Sequence, residues 1–323
     1  MTKKGNRDWA MTEKQQNIYE NLQEQAHKIL DWRTHHQGHR GHERYRDGVR
    51  AFCKHLAIEY SSKNFKNISD KHLISFVEAS KISNISSAAL KTDLAAIRKL
   101  HSMLPKKRFK KLETNNKKLG VEQRRNVGVD RAWKNSEVAQ AIEHAKITER
   151  LDVQWSIQCA RSLGLRIEEV TALTKSDLRE ALTNGHIHLI KTKAGIQRDV
   201  PLNGGAERTF REMIALGKQE KIFVKHGRTH KQAMKSIQNW IQNHRRSFTN
   251  VDNASENNQS YHQILNIHYE RENLTFHGLR HAYARMQYEA ALKQTSNARK
   301  ARQQVATLLG HGRDDVTRIY LSN

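Results

Sequence analysis

Apolar side chains recur at three- and four-residue spacing along four stretches near the start of the chain: 11–32, 43–60, 69–81 and 86–104. In the last, Leu90, Leu94, Ile97, Leu100 and Leu104 fall on one face, the stripe that an amphipathic helix turns toward a core. Ser69 and Asp70 precede the third stretch, and Ser86 and Ser87 open the fourth. Short side-chain oxygens at such points satisfy the first backbone N–H groups of a helix. Pro105 closes the fourth stretch, because the residue before a proline is pushed out of helical geometry. The pattern predicts a four-helix module over residues 1–105.

Further along, 134–147 and 152–163 carry helical periodicity up to Gly164, and another helical turn starts at Arg166 in GLRIEEVTALT. The period then changes. In HIHLIKTKAGIQRDVPL, apolar and polar residues alternate on both sides of Ala194-Gly195, the pattern of a β-hairpin. KIFV near residue 222 reads as a third short strand, and 230–246 as a helix followed by the polar loop VDNASENNQS. Segments around 277–291, 297–309 and 314–320 are again helical. The expected fold class is mainly α with a small β-hairpin or sheet: a helical N-terminal module and an α+β C-terminal domain over 132–323.

A length of 323 residues exceeds the usual size of a single core, which agrees with two domains. Charge narrows the choice of partner. Lys plus Arg number 57 against 33 for Asp plus Glu, a net charge of +24. Such a surface draws extended polyanions, with an attraction that weakens steeply with salt. Nucleic acid is therefore the leading ligand class. The basic excess peaks in KKRFKKLETNNKKLGVEQRR, where Lys106, Lys107, Arg108, Lys110, Lys111, Lys117, Lys118, Arg124 and Arg125 face only Glu113 and Glu122. The stretch reads equally well as a solvated linker or as a strap along phosphates. In either case it marks a boundary, and 106–131 is assigned as a basic interdomain linker.

The opening residues, MTKKGNRDWAMTEKQQ, lack the apolar run of a secretory signal, and no stretch is long enough to cross a bilayer. The expectation is a cytoplasmic, nucleoid-associated protein with no membrane partner. Cys53 and Cys159 each lie within a helical pattern and are expected to be reduced, buried thiols. HHQGHRGHER gathers His35, His36, His39 and His42, but Gly and Arg interrupt it and no ligand-spaced Cys or carboxylate pairs accompany it. It is read as a basic loop, and no metal or other cofactor is expected.

Candidate chemistry lies in the order of certain residues. HGLRH places His277 and Arg280 three apart, on one face of a helix. Arg166 precedes them at a helix start and Lys193 at a hairpin turn, while L-G-H with His311 follows, nine residues before Tyr320. This ordered set resembles the tyrosine recombinase, or phage integrase, family over about residues 133–323. The family's G-L-R-x-x-E is matched by Gly164, Leu165, Arg166 and Glu169. Its hairpin segment is matched by Thr192, Lys193, Gly195, Arg198, Val200, Pro201 and Leu202, and H-x-L-R-H, L-G-H and the tyrosine follow in order.

The chemistry of these residue types points the same way. Attack on a phosphodiester builds charge on oxygens that already repel a nucleophile, so fixed cations and hydrogen-bond donors are needed. Arg166 and Arg280 are suited to fork onto the non-bridging oxygens. A tyrosine phenol titrates near 10 in solution, so about one in a thousand is ionised at neutral pH, and adjacent cations favour the phenolate. Tyr320 is the expected nucleophile, His277 the group that accepts or relays its proton, and His311 a hydrogen-bond donor to phosphate. Lys193 is expected to protonate the departing 5′ oxygen, and Glu169 to orient an arginine. A 3′-phosphotyrosine link would conserve the bond energy for resealing without ATP.

The resemblance further implies a core-binding, SAM-like N-terminal module, a clamp on double-stranded DNA and a homotetramer on synapsed duplexes. DNA-bending accessory proteins and service to a mobile element belong to the same expectation. Only LSN follows Tyr320, so subunit coupling is expected to use the tyrosine-bearing helix or another surface. Competing readings are a swivelling topoisomerase or resolvase with the same chemistry, and a catalytically inactive DNA-binding regulator or architectural protein derived from an integrase.

Overall fold

The computed structural model describes residues 7, 9–30, 39–122, 131–190, 197–249, 274–310 and 314–321. By its internal contacts the chain divides into two compact units, Thr2–Arg125 and Asn126–Asn323.

The first unit holds α1 (Glu13–Leu30), α2 (His39–Tyr60), α3 (Asp70–Ile82) and α4 (Ser87–Ser102). In α1, Ile18, Leu22, Ala26 and Leu30 succeed one another at four-residue steps and are buried. They close over Phe52, Leu56, Phe76, Leu94 and Ile97 from the other helices. The anticipated caps are present: Ser86 Oγ accepts from the Ala89 N–H at 3.3 Å, and Ser69 caps α3 with His72, whose Nδ1 lies 3.0 Å from the serine hydroxyl. Among the described residues of this unit one carboxylate is buried. Asp93 is fully enclosed and pairs with Arg7 at 2.6 Å and Arg44 at 2.5 Å.

The basic stretch read as a linker or strap is, through residue 122, folded onto this unit. Leu112, Leu119 and Val121 join its core. The backbone is pinned by Arg108 N–H to Lys66 O at 2.9 Å and by Glu113 N–H to the Asp70 carboxylate at 2.7 Å. Lys106, Arg108, Lys110, Lys111, Lys117 and Lys118 remain exposed, whereas Lys107 is half-buried. Arg124 and Arg125 lie outside the described residues. Leucines at 112 and 119 are the physical reason that this segment does not run free.

The second unit begins with α5 (Asn135–Ile147), α6 (Leu151–Leu163), α7 (Ile167–Ala172) and α8 (Lys175–Asn184). Two antiparallel strands follow, β1 (His186–Leu189) and β2 (Arg198–Pro201), with His186 opposite Pro201 and Leu189 opposite Arg198. The remaining elements are α9 (Gly204–Leu216), α10 (His230–His244) with a 3-10 turn at Arg245–Ser247, α11 (Phe276–Thr295), α12 (Ala298–Leu309) and α13 (Asp314–Leu321). Helix α6 is central: Ile157, Ala160 and Leu163 are fully buried among Phe210, Ile237 and Leu279. A smaller cluster of Tyr283, Ala284, Val305, Leu309 and Tyr320 joins α11, α12 and α13.

The sequence pattern did not reveal α8 and α9. KIFV is not a strand either. Lys221 forms only an isolated bridge to Thr174, while Phe223 is a core plug. The polar loop VDNASENNQS and the hairpin turn lie outside the described residues. Both cysteines are buried and reduced, and burial pushes each thiol up to about 12. Among the described residues no helix is long and apolar enough to cross a membrane.

Candidate active site

Two glycines bring the site's elements together. Gly164 ends α6 with φ +63°, a left-handed cap that turns the chain sharply into Arg166. A Cβ there would also lie 2.3 Å from the Tyr283 ring. Gly278 is needed for space: a Cβ would come 2.2 Å from Arg131 O and 2.7 Å from the Trp133 ring. Trp133 Nε1 donates to Thr275 O at 2.9 Å, which anchors the start of α11 and hence His277.

Arg166 caps α7, and its backbone N–H donates to Glu169 Oε2 at 2.8 Å. Its guanidinium donates to Glu169 Oε1 at 2.8 Å, and Arg198 from β2 donates to both carboxylate oxygens, at 2.9 and 2.7 Å. One buried carboxylate thus holds two arginines from separate elements. Burial alone would raise the Glu169 carboxyl, but hydrogen bonding and charge from Arg198, then from Arg166, bring it down to about 2.

Arg280 is 1% exposed. Its Nη1 donates to Gly164 O at 2.5 Å and its Nη2 to Leu309 O, the carbonyls at the ends of α6 and α12. Helix C-termini carry partial negative charge, so a guanidinium set between two of them is well matched. Burial and the charge of Arg166 lower its pKa to about 10, leaving it protonated at neutral pH. Its Cζ stands 5.9 Å from the centre of the Tyr320 ring.

Tyr320 is 7% exposed and sits in a nest of rings. His277 meets it edge-on at 5.3 Å, His281 stacks on it at 4.3 Å, and the two histidines contact each other at 5.1 Å. Burial first, then the charges of Arg280 and Arg166, hold His277 at about 4, so at neutral pH it is an uncharged imidazole able to accept a proton. Arg166, Glu169, His277, Arg280 and Tyr320 are therefore assembled by the fold. Lys193 and His311 lie outside the described residues. Arg198 and His281 were visible in the sequence only as motif letters, and their contacts here show what those letters do. Among the described residues no group of three His, Cys, Asp or Glu is arranged to hold a metal ion. His35 and His36, and the side chains of His39 and His42, fall outside them.

Residues 132–323 match the model described as the phage integrase family, and residues 39–108 match that of the phage integrase N-terminal SAM-like domain. The chain belongs to the phage integrase family. Integrase-family architecture thus accounts for both the helical module and the α+β unit that carries the arginine and histidine cluster. No match is found among curated protein sequences. Among solved structures the chain resembles a lambda integrase dimer bound to a COC′ core site, with 13% identity, a TM-score of 0.61, and coverage of 97% of this chain and 81% of that one. It resembles the XerH site-specific recombinase bound to a palindromic difH substrate, at 16% identity, TM-score 0.61, and coverage of 98% and 86%. It also resembles the Tn1549 transposon integrase in complex with transposon right end DNA, at 14%, 0.57, and 95% of each chain. At these identities the likeness speaks for the tyrosine recombinase fold.

Proposed function

We propose that the chain is a site-specific DNA recombinase, an integrase that cuts and rejoins duplex DNA through a 3′-phosphotyrosine intermediate in the integration or excision of a mobile element. The Tyr320 oxygen attacks the scissile phosphorus, the bond to the 5′ oxygen breaks, and the 3′ phosphate becomes esterified to the phenol. His277 takes or relays the phenolic proton, and Lys193 returns a proton to the departing 5′ oxygen. Arg166 and Arg280 neutralise the non-bridging oxygens as charge develops, and His311 adds a hydrogen bond. Glu169 keeps Arg166 in place. A 5′ hydroxyl from the partner duplex then attacks the phosphotyrosine and releases Tyr320, so the bond is conserved without a high-energy cofactor.

The observation that carries this reading is the enclosure of the Tyr320 ring beside Arg280 and a neutral His277. Duplex DNA as the partner is supported by the net charge of +24 and by the DNA-bound state of the structural relatives. Assembly as a tetramer on synapsed DNA, with DNA-bending accessory proteins, belongs to the same proposal and is supported by lambda integrase's crystallisation as a tetramer on a Holliday junction. The test is covalent trapping on nicked duplexes carrying the ends of the encoding element, with chelator present. Wild-type protein should form a protein–DNA adduct resistant to detergent, and Tyr320→Phe should form none. An adduct that survives Tyr320→Phe overturns the assignment of the nucleophile. Tight duplex binding with no wild-type adduct would instead favour a DNA-binding regulator.

A further inference from the structure

Helix α13 is eight residues long. Helices so short are unstable on their own in water, so the surface that receives it decides where Tyr320 sits. Its inward residues Thr317 and Tyr320 are buried, and Tyr320 belongs to the small cluster with Tyr283, Ala284, Val305 and Leu309 rather than to the main core. Within that cluster region one side chain touches Tyr320 in two ways. The His281 ring stacks on the phenol ring with centroids 4.3 Å apart and planes inclined by 23°. The same ring hydrogen-bonds to the Tyr320 backbone. His281 is 6% exposed, and burial, followed by the charges of His277 and Arg131, holds it at about 4, so the imidazole in the stack is uncharged at neutral pH. His277 lies one turn earlier on α11 and meets the phenol only by its edge.

We propose that His281 is the seat of the tyrosine helix, a positioning residue that stacks on Tyr320, binds its backbone, and thereby sets how much of the time α13 is docked. Its consequence for strand cleavage rests on Tyr320 being the nucleophile. Docking itself is a property of the DNA-free chain and is measured without substrate. With the seat in place the phenol is held beside Arg280 and His277 and shielded from solvent. Without it α13 spends more time detached, and the reactive geometry is reached less often for every DNA molecule bound.

The test uses the full chain without DNA. Hydrogen exchange is followed over residues 314–321, and nitration of Tyr320 by tetranitromethane is quantified by peptide mass spectrometry with Tyr283 as internal reference. His281→Ala removes both contacts and should raise exchange and Tyr320 nitration about tenfold. His281→Phe keeps the ring face and should restore most of the protection against nitration. Exchange around Leu279–Ala284 should stay at the wild-type level in both variants. Unchanged rates in His281→Ala overturn the proposal, as does a rise spread evenly over α11 and α12, which would make His281 an ordinary core residue. On the nicked duplexes, His281→Ala should lower kcat while KM stays within about twofold; an effect confined to KM also counts against the seat. If Tyr320→Phe still forms an adduct while the exchange results hold, the nucleophile assignment falls and the seat stands. If the adduct is lost in Tyr320→Phe and exchange is unaltered in His281→Ala, the nucleophile stands and the seat falls.

Discussion

The carboxylate at Glu169 should leave a visible mark on stability. In an unfolded chain this group titrates near 4.5, and in the folded unit it is held at about 2, because Arg198 and Arg166 outweigh the effect of burial. A carboxyl whose folded pKa is depressed adds stability that is fully present above its unfolded value and fades as pH falls toward the folded one. The separation corresponds to about 3 kcal/mol at neutral pH, lost progressively below about pH 4.5. The perturbation is Glu169→Gln, which keeps the shape but cannot titrate and gives the arginines a weaker acceptor. The assay is urea unfolding of wild type and variant in parallel, at steps from about pH 7 down to about pH 3. At neutral pH the variant should be less stable by a few kcal/mol, and the gap should narrow steadily once the pH drops below the unfolded value. Carboxylates common to both proteins cancel in the difference. A gap that stays constant across the whole range would refute the claim that the two guanidiniums hold this charge.

Two further outcomes follow from packing and charge. Gly278→Ala drives a methyl into Arg131 O and the Trp133 ring, and should cost about 1–3 kcal/mol, read as a drop of several degrees in the calorimetric transition of the second unit. Asp93→Ala strips Arg7 and Arg44 of their shared partner. Since Arg44 remains partly solvated, the loss should sit at the lower end for a broken buried pair, about 3 kcal/mol, seen as early melting of the first unit by hydrogen exchange.

The helices of the first unit were legible because each carries a long apolar stripe that a core must cover. The missed helices differ in kind. In α8 only Leu178 and Ala181 are buried, too few to trace a period. Helix α9 opens on Gly204 and Gly205, residues that ordinarily mark turns, and depends on the Asn203 side chain accepting from the Ala206 N–H at 2.9 Å. KIFV looks extended because its apolar residues are adjacent, yet it forms no strand: Phe223 is buried in the core and Ile222 packs against it. In the site, the ordered motifs singled out Arg166, His277, Arg280 and Tyr320 before any fold was known. What they could not disclose was partnership. Arg198 finds Glu169 twenty-nine positions away, and His281 finds Tyr320 only once α13 has folded back on α11. Such pairings are written in tertiary geometry and leave no local period. A related imbalance holds in 106–122, where charges dominate the sequence while a few apolar residues decide where the segment lies.

Arg280 ties the ends of two helices while standing beside the phenol. It is therefore a keystone of this unit, needed to keep its shape apart from any part in the proposed chemistry. At position 320 a phenylalanine ring would fill the same stacked place against His281. If the proposed chemistry holds, its decay should begin at the tyrosine, leaving silent descendants with an intact arginine and a well-folded, empty-handed scaffold.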